Sequence, residues 1–194
     1  MNLDIVYQLV FPALWACWLL YWGISAKRVK TTVRRESLGS RLLHIVPLVI
    51  SLELLWFDRF PPGWLTRPLV PWTPGLFWAG AVVTAGGFLF TVWARVHLGR
   101  NWSATVTLKQ DHELITTGPY GIVRHPIYTG LLIAIIGSAI ARDEVRGVLA
   151  VVIAWAALWR KLKLEEKWMV EMFGEKYRAY RARVPALIPG LRRG

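Results

Sequence analysis

Residues 125–159 read HPIYTGLLIAIIGSAIARDEVRGVLAVVIAWAALW. Two apolar runs, 127–141 and 145–159, flank the polar turn RDEVR. A helix of about 15 residues at about 1.5 Å per residue spans roughly 22 Å, less than the roughly 30 Å of a bilayer core. The spacing therefore predicts a helical hairpin packed inside a membrane bundle, with its Trp-rich ends near the interface. The small residues Gly130, Gly137, Ser138 and Ala141 allow neighbouring helices to approach closely.

The rest of the chain supports this class. It has 194 residues, enough for one domain, is 55% hydrophobic and carries 12 Trp, a load that favours an integral membrane protein. Three further apolar runs lie at about 3–24, 42–57 and 75–96. The second holds His44, Pro47 and Glu53, and Glu53 is expected to pack against a polar neighbour as a structural group. The first has no positive charge ahead of it, so it reads as a retained span rather than a secretory signal. Cys17 lies within that run; a single cysteine forms no internal disulfide or CxxC site, and it is expected to be a packing residue. We find no internal repeat, no low-complexity linker and no metal motif.

The formal net charge of +12 would suit a nucleic-acid partner if it were gathered on one face. It is distributed by loop instead. Nineteen Lys and Arg fall in 25–41, 97–127 and 160–194, and four in the alternating segments 58–74 and 142–146. This is the positive-inside pattern; it places the N-terminus outside and the C-terminal tail in the cytoplasm. The partners expected are anionic membrane lipids, with no nucleic acid.

Two polar segments fall on the expected cytoplasmic side. In the first, 97–126, Gly118-Pro119 and His125-Pro126 interrupt any regular helix, because proline drives its preceding residue toward extended geometry. An elbow must feed the fourth span, with Pro126 in its first turn, where free N–H groups attract anionic groups. Tyr120 and Tyr128 flank Arg124 and His125 and can wall a pocket there; a juxtamembrane anchor is the plainer reading. The second segment, 160–194, begins as an amphipathic helix with Leu162, Glu165, Trp168, Met169, Met172 and Phe173 at helical spacing. Glu165 thus lies on an apolar stripe, four residues from Lys161, either as a simple intrahelical pair or as the lining of a pocket.

The stretches LGRNWS, HELITTGPYGIVRHPIYTG, EEKWMVEMFGEKYRAY and RVPALIPG together resemble the isoprenylcysteine carboxyl methyltransferase family of integral membrane enzymes that use S-adenosylmethionine. The resemblance runs from about Leu98 to Gly190; the N-terminal spans match only in hydropathy. It implies an all-α, polytopic membrane helix bundle of about five transmembrane helices, with a cytoplasmic cofactor pocket and a C-terminal amphipathic helix. The 194 residues form one domain, with 1–96 supplying the N-terminal spans and 97–194 the cofactor-binding and catalytic region. It implies that His112, Glu113, Leu114, Ile115, Tyr120, His125, Pro126, Ile127 and Tyr128 contact S-adenosylmethionine, and that Glu165 binds its charged methionine end. Lys161 stands where the family usually has an Arg facing the acceptor carboxylate. Lysine keeps the charge but lacks the planar fork; Arg160 points about 100° away around the helix. Arg124 is assigned either to holding the elbow together or to neutralising the substrate, and with Lys161 makes up the expected catalytic pair.

The implied acceptor is the carboxylate of a prenylated or other lipophilic molecule. Such a group is ionised at neutral pH and needs no general base, so catalysis rests on alignment and exclusion of water. An amine acceptor would need a base, and Glu166 or His125 could serve. No glycine-rich nucleotide fingerprint follows a strand. Three alternatives remain: a methyltransferase acting on a phospholipid amine or small thiol, a nicotinamide-dependent membrane reductase, and a non-enzymatic membrane scaffold.

Overall fold

In the computed structural model, residues 3–25, 32–56, 63–71, 73–99, 107–109 and 113–191 are described. Helices α1 (Leu3–Ser25), α2 (Leu38–Trp56) and α3 (Pro74–Leu98) are each long and apolar enough to cross a membrane. The one-turn α4 (Pro119–Ile122) precedes α5 (Pro126–Arg142), which is apolar but shorter, and α6 (Val145–Phe173) leads into α7 (Glu175–Arg183). The helical membrane bundle expected from the sequence is the observed architecture. Strands β1 (Thr32–Arg35) and β2 (Thr107–Lys109) add a short antiparallel pair that hydropathy did not suggest. Both belong to loops at the same end of the bundle, so extended backbone there can satisfy itself by pairing.

The RDEVR hairpin forms as expected. Asp143 takes the left-handed conformation at the end of α5, and Val145 starts α6. Backbone bonds from Leu69 N to Asp143 O (3.2 Å) and from Val145 N to Arg67 O (3.1 Å) tie this turn to the loop before α3. At the opposite end Arg95 donates to Ser25 O (2.6 Å) and Gly99 O (2.7 Å), which supplies partners to carbonyls at the ends of α1 and α3. The loops richest in Lys and Arg thus share one end, in keeping with the alternation read from the sequence.

The fifth span and the tail helix are one continuous element. No Gly or Pro lies between Trp159 and Phe173, so nothing ends the helix at the interface. Its 29 residues rise about 43 Å, which places Arg160 and Lys161 about 22–24 Å from its start and carries Glu165 and Glu166 to the far edge of a core of about 30 Å.

Packing centres on α3 and α5. Gly80 meets Gly137, and Gly87 meets Gly130, in two antiparallel layers with backbone in direct contact. Thr84 donates to Ala134 O (3.2 Å) between the layers. Trp15 and Trp18 of α1 cover this seam and donate to Ser138 Oγ (3.2 Å) and Thr91 Oγ1 (2.7 Å). Each indole thereby satisfies its N–H within an apolar core.

Two expectations fail on the outer face. Cys17 is exposed rather than packed, and Glu53 is exposed on α2 rather than set against a polar neighbour. Helical phase turns both outward, and hydropathy alone does not report phase when a helix is apolar on all sides.

Candidate functional site

The elbow 118–125 is built as its prolines require. Gly118 has φ +58° and sits against the His97 ring, so a Cβ there would lie 2.7 Å from Cε1. Only glycine combines that conformation with that proximity. Pro119 opens α4, Val123 and His125 are extended or near-extended, and Pro126 starts α5. The backbone N–H groups of Arg124 and His125 then donate to Pro185 O (2.8 Å) and Ala186 O (3.1 Å). The C-terminal VPAL stretch therefore lies along the elbow, and Thr129 Oγ1 continues the seam to Leu187 O (2.8 Å).

Arg124 holds this seam. Its Nε and Nη2 donate to Glu166 Oε1 (2.8 and 2.5 Å), and its Nη1 donates to Arg181 O (3.1 Å) and to Val184 O. Glu166 is 4% exposed and Arg124 8%. Of the two roles considered for Arg124, this geometry supports holding the elbow. Glu166, left without a role by the spacing argument, is its buried counter-ion.

Glu165 faces a different set of groups. Tyr128 Oη donates to Glu165 Oε1, and His125 Nδ1 lies 3.6 Å from Oε2. The His125 and Tyr128 rings stack nearly parallel, centroids 5.4 Å apart, and Lys161 Nζ lies 5.2 Å from the centre of the Tyr128 ring. His125 Nε2 is 3.4 Å from Glu166 Oε1, an ion-pair contact without the alignment of a hydrogen bond. The structure thus gathers His125, Tyr128, Glu165 and Lys161, and Glu165, at 24%, keeps far more exposure than Glu166.

Charge is balanced across this cluster. Burial opposes protonation of His125, but the carboxylates of Glu165 and Glu166 outweigh it and raise its pKa above the ordinary value. Burial likewise opposes ionisation of Glu165, yet His125, Lys161 and Tyr128 hold its pKa below normal. For Glu166 burial is outweighed by His125 and Arg124, and its pKa falls to about 2. A group depressed on folding stabilises fully above its unfolded value, near 4.5, and loses that contribution as pH falls toward 2. Acidifying the detergent-solubilised protein from pH 5 to pH 3 should lower its unfolding midpoint by roughly 5 °C through this group. Glu166→Gln should flatten that part of the profile; an unchanged slope in the variant would remove Glu166 as its source.

The other expected cofactor contacts are spread around this centre. Pro126 is buried at the start of α5, and Ile127 packs against the core. Tyr120 is buried, its ring stacked on His97 with centroids 6.4 Å apart, and its carbonyl accepts from Tyr180 Oη (2.6 Å). Glu113 and Leu114 line a cavity of about 540 Å³ with Phe173, Lys176, Tyr180 and Arg183, and Ile115 is half-buried beside them in sequence. Glu165 is not part of that lining. His112 lies outside the described residues. Spacing did not single out Tyr180 or the tail carbonyls, although the FGEKYRAY repeat of tyrosines marked the helix that carries Tyr180.

Residues 76–176, from α3 through α6, match the family model for phospholipid methyltransferase. The protein-S-isoprenylcysteine O-methyltransferase of Schizosaccharomyces pombe is 35% identical over 99 residues, covering 50% of this chain and 42% of the relative. That of Dictyostelium discoideum is 26% identical over 166 residues, 83% of this chain and 70% of the relative. The chain spans half or less of the length of the first curated relatives it matches. A solved structure of a eukaryotic intramembrane Ras methyltransferase (isoprenylcysteine carboxyl methyltransferase) superposes with a TM-score of 0.55 at 23% identity, over 81% of this chain and 55% of that one, a likeness of fold. The resemblance drawn from the sequence motifs is borne out by these relatives.

Proposed function

The chain belongs to the phospholipid methyltransferase family, and on that premise we propose that it is an S-adenosylmethionine-dependent methyltransferase that esterifies the carboxylate of a lipophilic, isoprenylcysteine-like acceptor at the cytoplasmic face of a membrane. One observation carries the reading. Glu165 is an ionised carboxylate held by Tyr128, next to His125 and Lys161, and it retains exposure where the bundle ends.

The residues suit the cofactor. A partly exposed carboxylate with spare acceptor sites matches the cationic methionine end, and the stacked His125 and Tyr128 rings offer an aromatic wall. Glu113 and Leu114 border a recess large enough for a nucleoside. When bound, S-adenosylmethionine supplies a methyl group on a sulfonium already activated for transfer. Glu165 and Tyr128 would orient its amino end, and Lys161 would hold the acceptor carboxylate in place. Arg124 and Glu166 act indirectly, by fixing the elbow that carries His125 and Tyr128. A carboxylate needs no base, so alignment and removal of water suffice. The charge distribution supports a cytoplasmic site, and the lipid-facing helices support lateral entry of the acceptor from the bilayer.

The family's name favours a second reading, in which the acceptor is a phospholipid amine. Lys161 and Arg160 at the same end of α6 repel an ammonium head, which ranks that reading second.

The test is transfer of labelled methyl from S-adenosylmethionine to N-acetyl-S-farnesylcysteine by the purified protein in lipid, beside Glu165→Gln. Base-labile label should appear with the wild type. The variant, which keeps the shape of the side chain, should bind the cofactor about a hundredfold more weakly. Unchanged affinity would take Glu165 out of the site. Cofactor binding without transfer to this acceptor would favour the amine reading, and no binding would favour the reductase or scaffold.

A further inference from the structure

The C-terminal stretch VPALIPGL, 184–191, ends in a turn that takes no part in the cofactor cluster. Leu191 N donates to Ile188 O (3.2 Å) and Gly190 has φ +79°, so Ile188-Pro189-Gly190-Leu191 is a type II turn, with proline and glycine where that type prefers them. The ends of such a turn are less than about 7 Å apart, which brings Ile188 and Leu191 together at one tip. They are 57% and 64% exposed. Single apolar residues at a surface are ordinary; the depth at which this pair stands is not.

Thr129 Oγ1 donates to Leu187 O (2.8 Å), which fixes the level of the turn against α5. From Thr129 to the end of α5 at Arg142 the helix rises about 20 Å. Arg142 opens the polar RDEVR turn at the far surface, and a bilayer core is about 30 Å thick. Leu187 therefore lies short of the cytoplasmic boundary, and any tilt of α5 sets it deeper still. The backbone before the turn suits that depth. Five successive carbonyls have partners within the protein: Val184 O accepts from Arg124 Nη1, Pro185 O and Ala186 O from the N–H groups of Arg124 (2.8 Å) and His125 (3.1 Å), Leu187 O from Thr129, and Ile188 O from Leu191. Pro185 and Pro189 carry no N–H to satisfy. Irregular backbone is tolerated at membrane depth only where its polar groups are paired in this way.

We propose that the 188–191 turn is a re-entrant lipid anchor: Ile188 and Leu191 enter the cytoplasmic leaflet at the level of its acyl chains, and the basic segments on either side meet its anionic headgroups. Charge supports this partner as depth does. Just before the stretch, α7 exposes Arg178, Arg181 and Arg183, and Arg192 and Arg193 follow the turn in the sequence. Glu175, the one acidic residue of α7, is paired with Arg178. An apolar tip flanked by basic segments fits an anionic lipid surface and repels a second copy of the same tail. The anchored strand is also the one whose carbonyls hold the backbone of Arg124 and His125, so the bilayer backs the elbow that carries the site. None of this depends on the identity of the methyl acceptor.

Depth can be measured by spin labelling in nanodiscs of mixed phosphatidylcholine and phosphatidylglycerol. Cys17 is the only cysteine, so Cys17→Ala gives a background in which Leu191→Cys carries a single label. Arg178→Cys, on the exposed face of α7, is the aqueous reference. Both positions are exposed, so labelling leaves the packed bundle intact. Oxygen is apolar and concentrates in hydrocarbon, whereas a polar nickel chelate stays in water. At 191 oxygen should relax the label more strongly than the chelate does, and at 178 the order should reverse. A label at 191 that the chelate reaches as well as it does at 178 overturns the anchor and leaves the turn in water. A label shielded from both reagents overturns it as well, because that is the signature of a protein contact such as a second copy.

Discussion

Gly137→Leu should leave almost no folded protein. A Cβ at Gly137 would lie 2.5 Å from Thr84 N and 2.6 Å from Gly80 O, and both atoms are backbone or anchored by it. The clash cannot be relieved by a side-chain rotation; α3 and α5 must separate. Separation also breaks the opposite layer, where Gly87 and Gly130 meet, and withdraws Ser138 and Thr91 from Trp15 and Trp18. Even Gly137→Ala should cost about 3 kcal/mol, at the upper end for overpacking, and leucine more. Gly86→Leu on α3 is the control, because nothing lies within 4 Å of a Cβ there. Size-exclusion profiles in mild detergent, followed by thermal unfolding, distinguish the two. A monodisperse Gly137→Leu protein with a wild-type midpoint would show that the close α3–α5 seam is not the core of this fold.

Arg124→Ala should destabilise the protein by about 3–5 kcal/mol, because it leaves Glu166 buried without its nearest cation and frees the carbonyls of Arg181 and Val184. The C-terminal tail should become a protease target, since its backbone pairing with Arg124 and His125 depends on the elbow remaining in place. Arg124→Lys should rescue little, because one ammonium cannot reach a carboxylate and two carbonyls in different directions. The double replacement Arg124→Met with Glu166→Met should regain much of the lost stability, as apolar replacement of a buried pair often does. That double variant also tests the role of Arg124 in the reaction. If it folds and transfers methyl to the acceptor, Arg124 is a positioning residue; if it folds, binds cofactor and does not turn over, Arg124 touches the reactants. A wild-type melting point and protease pattern in Arg124→Ala would remove the guanidinium from the seam altogether.

Small residues on the fourth apolar run announced a close helix contact, but nothing in their spacing named α3 as the partner. That choice follows from two pairs of glycines, Gly80 with Gly87 and Gly130 with Gly137, whose matching intervals become a seam only when the helices run antiparallel. Helical spacing placed Glu165 on the inner stripe, yet Glu166 is the more deeply buried of the two. A stripe argument counts apolar neighbours on one helix, whereas the tail folding back over α6 buries the adjacent face as well. Glu36 stands ahead of α2 and His44 within it, in segments that hydropathy read separately as a polar loop and an apolar run, so their contact was not visible in the sequence.

Composition, the alternation of charged loops and the prolines of the elbow were sufficient by themselves to establish a helical membrane bundle with its long polar segments at one end. These signals are local: apolar length, charge count and the dihedral limits of proline act within a few residues and are decided before any long-range contact forms. The division of labour between the two glutamates, the use of Arg124 as the clasp of elbow and tail, and the contact of His44 with Glu36 were decided only by tertiary structure. Each depends on groups brought together from distant parts of the chain, where burial and the orientation of a partner determine what a charged or polar side chain can do.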